Sequence, residues 1–359
     1  MTGASDSGSP VEGPVLIIGC GLIGTSLALA LSEQGVVVHL ADAVAAHVEL
    51  ASSRGAGSSD PVDDPALVVV AVPPSVAAPV VAQALADHQN AVVTDVGSVK
   101  AHLLAALAGT PGAARFVGGH PMAGKERSGP MAATPRLFEG RPWAVVPSAD
   151  TSSHAVDTLT QMASAIGAVP RTMDATTHDS SVALVSHVPH LASVLVAGLL
   201  NDAPSGALEL AGPGLRDVTR IAGSVTGMWL DIFHGNAAEV SRLLTALRGS
   251  IDEALTALDT DPNDLGALLD AGRAGTQLIP GRHGGASEKL ATVYVSVTDQ
   301  PGELSQLMGD AGQSGVNIED IRIDHELGRL VGQIEIAVDD SKADTLVTAL
   351  DARGWAAHR

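Results

Sequence analysis

Apolar and polar positions follow three different patterns along this chain. Between residues 15 and 148, short apolar runs alternate with helix-like segments: VLII (15–18), VVVHLAD (36–42), ALVVVAV (66–72), NAVVTD (90–95), RFVGG (115–119) and RPWAVVPS (141–148). Such runs read as strands buried on both faces, the arrangement of a mostly parallel sheet under helices. RPWAVVPS reads as the last strand of this part. After residue 150 the strands stop. HAVDTLTQMASAIGAVPRTMD (154–174) reads as a helix and a short extended piece, and VALVSHVPHLASVLVAGLL (182–200) as a helix apolar on all sides. Residues 234–258 read as a long amphipathic helix. From residue 291 the pattern alternates, ATVYVSV and RLVGQIEIAV pairing as strands around two helical stretches. The resulting β-α-β-β-α-β order is ferredoxin-like, behind a Gly/Pro-rich stretch at 277–289 that reads as a linker.

The first strand runs into GCGLIG, which sets Gly19, Gly21 and Gly24 in G-x-G-x-x-G spacing, with Leu22 and Ile23 opening a helix. The glycines suit a tight turn, the approach of a pyrophosphate and close helix–strand packing, with phosphate at the helix N-terminus. The second strand ends in Asp42, 18 residues after Gly24. There the fingerprint expects an acid for the ribose hydroxyls. Asp42 is either that acid, selecting NAD because a carboxylate repels a 2′-phosphate, or a turn residue. The fold class expected is an α/β Rossmann domain at 14–150, an all-α domain at 151–276 and a small α+β domain at 290–359. Residues 1–13 read as a disordered lead.

Composition removes several classes. A net charge of -20 excludes a nucleic-acid partner and an anionic membrane. Only 2 % of residues are aromatic, so the cores must be built of Ala, Val and Leu. The apolar run 182–200 is long enough to suggest a membrane span. Ser186, His187, Pro189 and His190 inside it argue for burial in a core or an oligomer interface instead. A single cysteine, Cys20, and the lack of a targeting segment fit the cytoplasm.

Candidate chemistry gathers at strand ends. DVGSVK (95–100) delivers Asp95, Ser98 and Lys100, with Ser98 either capping the next helix or facing a ligand. GGHPMAGKERSG (118–129) holds His120 in a small-residue loop, with Lys125 and Ser128 after it. An imidazole there is available for proton transfer near neutral pH. His178, His187 and His190 raise the question of a metal. Without a cysteine or an obvious carboxylate partner they read as cleft-lining groups, and no metal is expected. Arg216 and Arg220 are neighbours on a helix, pairing with Asp217 or binding a carboxylate. Trp229 and Asn236 either border a pocket or pack and cap their helix.

GCGLIG, DVGSVK, GGHPMAGKE, SHVPH and RDVTRIA in this order resemble the prephenate dehydrogenase family, which includes arogenate and cyclohexadienyl dehydrogenases. The resemblance implies NAD-dependent oxidative decarboxylation of prephenate, or of arogenate. It implies His120 as base, Ser98 beside it, and Arg220, His187, His190 and Lys125 around the substrate. It also implies a homodimer formed by the helical half. D-x-P-G-x-L (299–304) and VNIEDI (316–321) resemble an ACT domain, implying tyrosine as an effector or else a module that only assembles. A β-hydroxyacid-type dehydrogenase is disfavoured, because residues 175–260 hold no lysine. A non-catalytic amino-acid sensor is disfavoured by the combination of His120, Ser98 and Arg220.

Overall fold

The computed structural model describes residues 13–125, 127–279, 290–298, 300–325 and 331–359. The expected lead up to residue 12, the linker from residue 280 on and Asp299 of the D-x-P-G-x-L turn lie outside the described residues. The chain divides into two compact units, one ending at Leu247 and the other starting at Arg248.

The first unit opens with the strands β1 (Val15–Ile18), β2 (Val38–Ala41), β3 (Leu67–Val70), β4 (Val92–Asp95), β5 (Phe116–Pro121), β6 (Pro142–Val146) and β7 (Val169–Thr172). They form one seven-stranded sheet in the order β2-β1-β3-β4-β5-β6-β7. The first five run parallel, β6 is antiparallel to β5, and β7 is parallel to β6. Strand order reverses between β1 and β3. This doubly wound topology opens its ligand crevice outside the carboxyl ends of the strands there. Helices α1 (Leu22–Glu33), α2 (Ala45–Ser53), α3 (Pro74–Asp87), α4 (Ala101–Leu107) and α5 (Ser153–Ala165) cover the sheet. Leu27 and Leu31 of α1, Val48 of α2 and Leu159 and Met162 of α5 share one core with alternate residues of the strands. Val81 and Leu85 of α3 and Leu103 and Leu107 of α4 build the core on the other face.

The sheet does not end at RPWAVVPS, as the apolar pattern suggested. The extended piece after α5 is β7, an edge strand. Its sequence, VPRT, is mostly exposed and carries a proline, so it leaves no hydrophobic signature.

Beyond β7 the first unit is helical. α6 (Ala175–Val182), a π-type turn (Ala183–His187) and α7 (Val188–Gly198) run end to end. Pro189 explains the widened turn: its ring has no N–H to give the preceding turn and crowds the carbonyl behind it. α8 (Pro213–Thr219) and α9 (Thr226–Gly235) follow, then α10 (Ala237–Thr260), within which the unit boundary falls. The stretch Ala175–Asp202 is long and apolar enough to cross a membrane by length and composition. It nevertheless buries His178, Asp179, His187, His190 and Ser193 inside the protein, while Leu184, Val185, Leu195 and Leu199 stay exposed.

The second unit contains α11 (Leu265–Thr276), then β8 (Leu290–Thr298), α12 (Glu303–Gln313), β9 (Asp320–His325), β10 (Val331–Asp339), α13 (Ala343–Asp351) and β11 (Ala356–His358). The four strands pair antiparallel in the order β11-β8-β10-β9. That is the ferredoxin-like order, closed by a last strand of three residues. Val293, Val295, Ile334, Ile336, Leu307 and Leu346 form its core between sheet and helices.

Candidate active site

The glycine turn between β1 and α1 gives each glycine its own reason. Gly19 has φ +110°, and a Cβ there would stand 2.3 Å from the Ala71 carbonyl oxygen. A Cβ on Gly24 would stand 1.9 Å from the carbonyl oxygen of Gly19, so helix and turn pack in contact. Among the described residues, nothing lies within 4 Å of a Cβ built on Gly21. No protein atom requires it to be glycine, which is the condition for a ligand to approach the backbone. Leu22 and Ile23 pack their side chains on the core and leave the first turn of α1 to present its amides. Asp42, at the end of β2, accepts hydrogen bonds from the amides of Cys20 (2.6 Å) and Val44 (2.8 Å). Its carboxylate is thereby tied to the glycine turn. Burial and then the charge of Asp42 push the Cys20 thiol up to about 12, which makes Cys20 inert packing.

Under the other half of the crevice lies an ion pair. Lys100 Nζ donates to Asp95 Oδ2, and both side chains are almost wholly buried. Asp95 also accepts from the amides of Gly97 (2.8 Å) and Gly119 (3.2 Å). This pair explains the glycines before His120. A Cβ on Gly118 would lie 3.0 Å from Lys100 Cδ, and one on Gly119 would lie 2.5 Å from the Asp95 carbonyl oxygen. Two small residues let β5 settle on the pair and carry His120 to the sheet's edge.

His120 is buried, and its Nδ1 lies 2.9 Å from Nε2 of His178 on α6. His178 Nδ1 lies 2.7 Å from Asp179 Oδ1. Asp179 in turn accepts from the amides of Lys100 and Ala101, each at 2.9 Å, at the start of α4. Ser98 is therefore not the cap of that helix. It is half-buried in the turn before it, and a carboxylate 78 residues away in sequence from Ala101 does the capping. Burial resists the charge on Asp179, but bonds from His178, Lys100 and Ala101 hold its carboxyl below the ordinary range. Burial, followed by the neighbouring His178, Lys100 and His187, pushes His120 well below the ordinary imidazole value. The expectation of a group titrating near neutrality is thus corrected: the His120 imidazole is uncharged throughout that range.

His187 ends the π-type turn. Asn236 Nδ2 donates to the Asp179 carbonyl at 2.8 Å, which fixes the amide's orientation, and lies 3.2 Å from His187 Nδ1. Nδ1 of His187 is thus an acceptor and its Nε2 carries the proton. His190 stacks on Trp229, ring centroids 3.6 Å apart and 5° from parallel. Trp229 Nε1 is buried with no hydrogen-bond partner among the described residues. Arg220, itself exposed, begins a 3-10 turn (Arg220–Gly223) behind α8. Lys125 donates to the Ala132 carbonyl at 3.0 Å and lines a cavity of about 580 Å³ with Arg136 and Arg141. No hydrogen bond links Lys125 to the histidine network among the described residues.

Sequence reasoning singled out His120, His187 and His190 but missed Asp179 altogether. It read His178 as a cleft-lining histidine with no link to His120, and Lys100 as part of a strand edge. The available signal was the adjacent His-Asp pair opening an apolar helix, because a buried acid needs a partner.

These histidines give stability a pH dependence. Burial, opposed by Asp179, lowers His187 from 6.5 to about 4. The unfolded chain takes up protons below about pH 6.5, whereas folded His187 does so only near 4. Stability is then full above that window and falls as pH drops through it. Thermal midpoints measured across this range should decline, and His187→Gln should flatten part of the decline.

A family model of the prephenate dehydrogenase nucleotide-binding domain matches residues 27–171, and one of the prephenate dehydrogenase dimerisation domain matches residues 174–270. The chain belongs to the prephenate dehydrogenase family. Its relatives in that family include a probable prephenate dehydrogenase, NovF, of Streptomyces niveus, 36% identical over 96% of this chain and 99% of its own. The prephenate dehydrogenase of Bacillus subtilis is 30% identical over 86% of this chain and 87% of its own. A prephenate dehydrogenase structure from A. aeolicus, in complex with hydroxyphenyl propionate and NAD+, matches at 26% identity and a TM-score of 0.68. It covers 75% of this chain and 99% of that one.

Proposed function

We propose that this chain is an NAD-dependent dehydrogenase that converts prephenate to 4-hydroxyphenylpyruvate with loss of carbon dioxide. The observation that carries the reading is His120, a buried neutral histidine at the carboxyl edge of the glycine-turn sheet, in a chain of this family. NAD fits the residues present. Asp42 would hold the ribose hydroxyls, and the open side of Gly21 with the first turn of α1 would hold the pyrophosphate. Bound there, NAD would supply the hydride acceptor for the ring carbon that bears the hydroxyl. His120 takes the hydroxyl proton as that oxygen gains carbonyl character, and Ser98, from the turn before α4, would assist it. Loss of the ring carboxylate as carbon dioxide returns its electron pair to the ring, and the oxygen regains a proton as the phenol. Arg220 would bind a substrate carboxylate, with His187 Nε2–H and Trp229 Nε1–H as further donors and His190 held in place by its stack on Trp229. Lys125 contributes charge from the loop after β5.

Arogenate remains the alternative substrate, differing only in an amino group for the side-chain keto group. A set of donors suits a keto acid better than an ammonium group, and two relatives bear prephenate in their names. Comparing kcat/KM for the two substrates tests this, a higher value with arogenate reversing the assignment.

Two variants probe the binding groups. Asp42→Ala should narrow the preference for NAD over NADP while retaining turnover; an unchanged ratio of kcat/KM would return Asp42 to a turn residue. Arg220→Ala should raise KM by about 10- to 100-fold, the worth of a hydrogen bond to a charged group, with a smaller fall in kcat. An unchanged KM would remove Arg220 from the site.

The same reading makes the protein a cytoplasmic homodimer. The exposed Leu184, Val185, Leu195 and Leu199 lie within the stretch matched by the dimerisation-domain model and would pack on a second copy. The ferredoxin-like sheet of the second unit would serve as an ACT-type regulatory domain for tyrosine, at the turn where Gly302 opens α12 and near Asn317. Calorimetry and inhibition with the full chain test this. Tyrosine binding that Asn317→Ala abolishes supports an effector site, and inhibition untouched by that change would belong to the catalytic cleft.

A further inference from the structure

The groups behind His120 form a chain that determines where its proton sits. Asp179 accepts from two backbone amides of α4, so its carboxylate cannot turn away from His178. An ionised carboxylate has no proton to give, and the 2.7 Å bond therefore has His178 Nδ1–H as its donor. A neutral His178 then has only a lone pair at Nε2. The 2.9 Å contact with His120 is made by His120 Nδ1–H donating to that lone pair. One nitrogen of His120 is thus left bare.

We propose that the Asp179–His178 pair locks His120 in its Nδ1–H tautomer and so makes Nε2 the atom that receives the substrate proton. His178 and Asp179 are positioning residues that act through His120. The assignment rests on His120 being the base and adds which of its atoms works and what holds it there. The rings meet edge to face, 5.1 Å between centroids and 65° apart, so the bond also fixes the tilt of the His120 ring. Among the described residues, the charged and titratable groups facing His120 fit the same scheme. Lys100 is held by Asp95 under β5, and His187 is neutral with Asn236 at its Nδ1. Neither offers His120 an acceptor in place of His178. When Nε2 takes the proton, the positive charge is shared along the bonds towards Asp179. In a comparable carboxylate–histidine arrangement, loss of the correct tautomer alone lowers kcat by about 10⁴-fold.

The test uses the full chain labelled with ¹⁵N-histidine, read by imidazole ¹⁵N chemical shifts without substrate, together with steady-state kinetics. The expected wild-type signal for His120 has a protonated Nδ1 and a bare Nε2. In His178→Leu the tautomer should be mixed or reversed, with kcat lowered by about 10²-fold or more and KM and NAD affinity little changed. His178→Gln, which keeps an acceptor towards His120 and a donor towards Asp179, should restore the tautomer and most of kcat. A bare Nδ1 in the wild type overturns the proposal, as does a His178→Leu variant with the wild-type tautomer and rate. If His178→Leu does not fold, by circular dichroism, the wild-type and His178→Gln spectra still decide. A wild type with the expected tautomer but no turnover of prephenate or arogenate would contradict the proposed function and leave the tautomer assignment standing.

Discussion

Replacing His120 by asparagine is expected to lower kcat by roughly 10²-fold or more, the range for loss of a general base. Asparagine is the informative choice. Its amide N–H can still donate towards His178 Nε2, so the surrounding bonds have a partner, but it offers no basic nitrogen. NAD affinity should be little changed, because Asp42 and the glycine turn belong to the β1 and β2 end of the sheet. The pH profile carries a second readout. With His120 pushed well below its ordinary value by burial and by His178, the unprotonated base persists as pH falls through the neutral range. Wild-type kcat/KM should therefore hold steady on the acid side through an imidazole's ordinary range. A variant with near-wild-type kcat would remove His120 from the chemistry.

Lys100→Met is expected to have the largest effect on stability. The change removes one partner of a buried ion pair and leaves Asp95 charged in a site closed to water, at a cost of about 3–5 kcal/mol. The Gly97 and Gly119 amides remain as donors to Asp95, but they do not replace a full charge. Urea unfolding midpoints read the loss. The double replacement of Asp95 by Asn and Lys100 by Met should recover part of it, because no unpaired charge is then left buried. A Lys100→Met protein as stable as wild type would show that the pair holds neither β5 nor His120 in place. Activity should fall together with stability, since β5 carries His120 directly after the glycines that rest on Lys100 and Asp95.

Much of this architecture was legible because its signals are local. The glycine spacing, the acid ending β2 and the apolar runs of a sheet buried on both faces each lie within a few residues of one another. The alternating strands and short last strand of the tail were legible for the same reason. What escaped was long-range or unpatterned. His120 and His178 are 58 residues apart, and Asp179 caps a helix that starts nearly 80 residues before it. No spacing rule connects such residues before the fold does. Of the two readings open for Ser98, the cap falls away because a long-range carboxylate takes that place. β7 escaped because an exposed, proline-bearing edge strand needs no apolar alternation. Arg220 carries the residue type and the family motif of a carboxylate ligand, and it stands exposed at the start of a 3-10 turn.

The most direct measurement is the product balance of the purified full chain given NAD and prephenate. NADH is read by absorbance, carbon dioxide by trapping and 4-hydroxyphenylpyruvate by chromatography. The expected result is the three products in equal amounts, formed at a rate that His120→Asn abolishes almost entirely. Binding of NAD without NADH formation from either prephenate or arogenate would contradict the enzymatic reading, leaving a nucleotide fold joined to an amino-acid sensor.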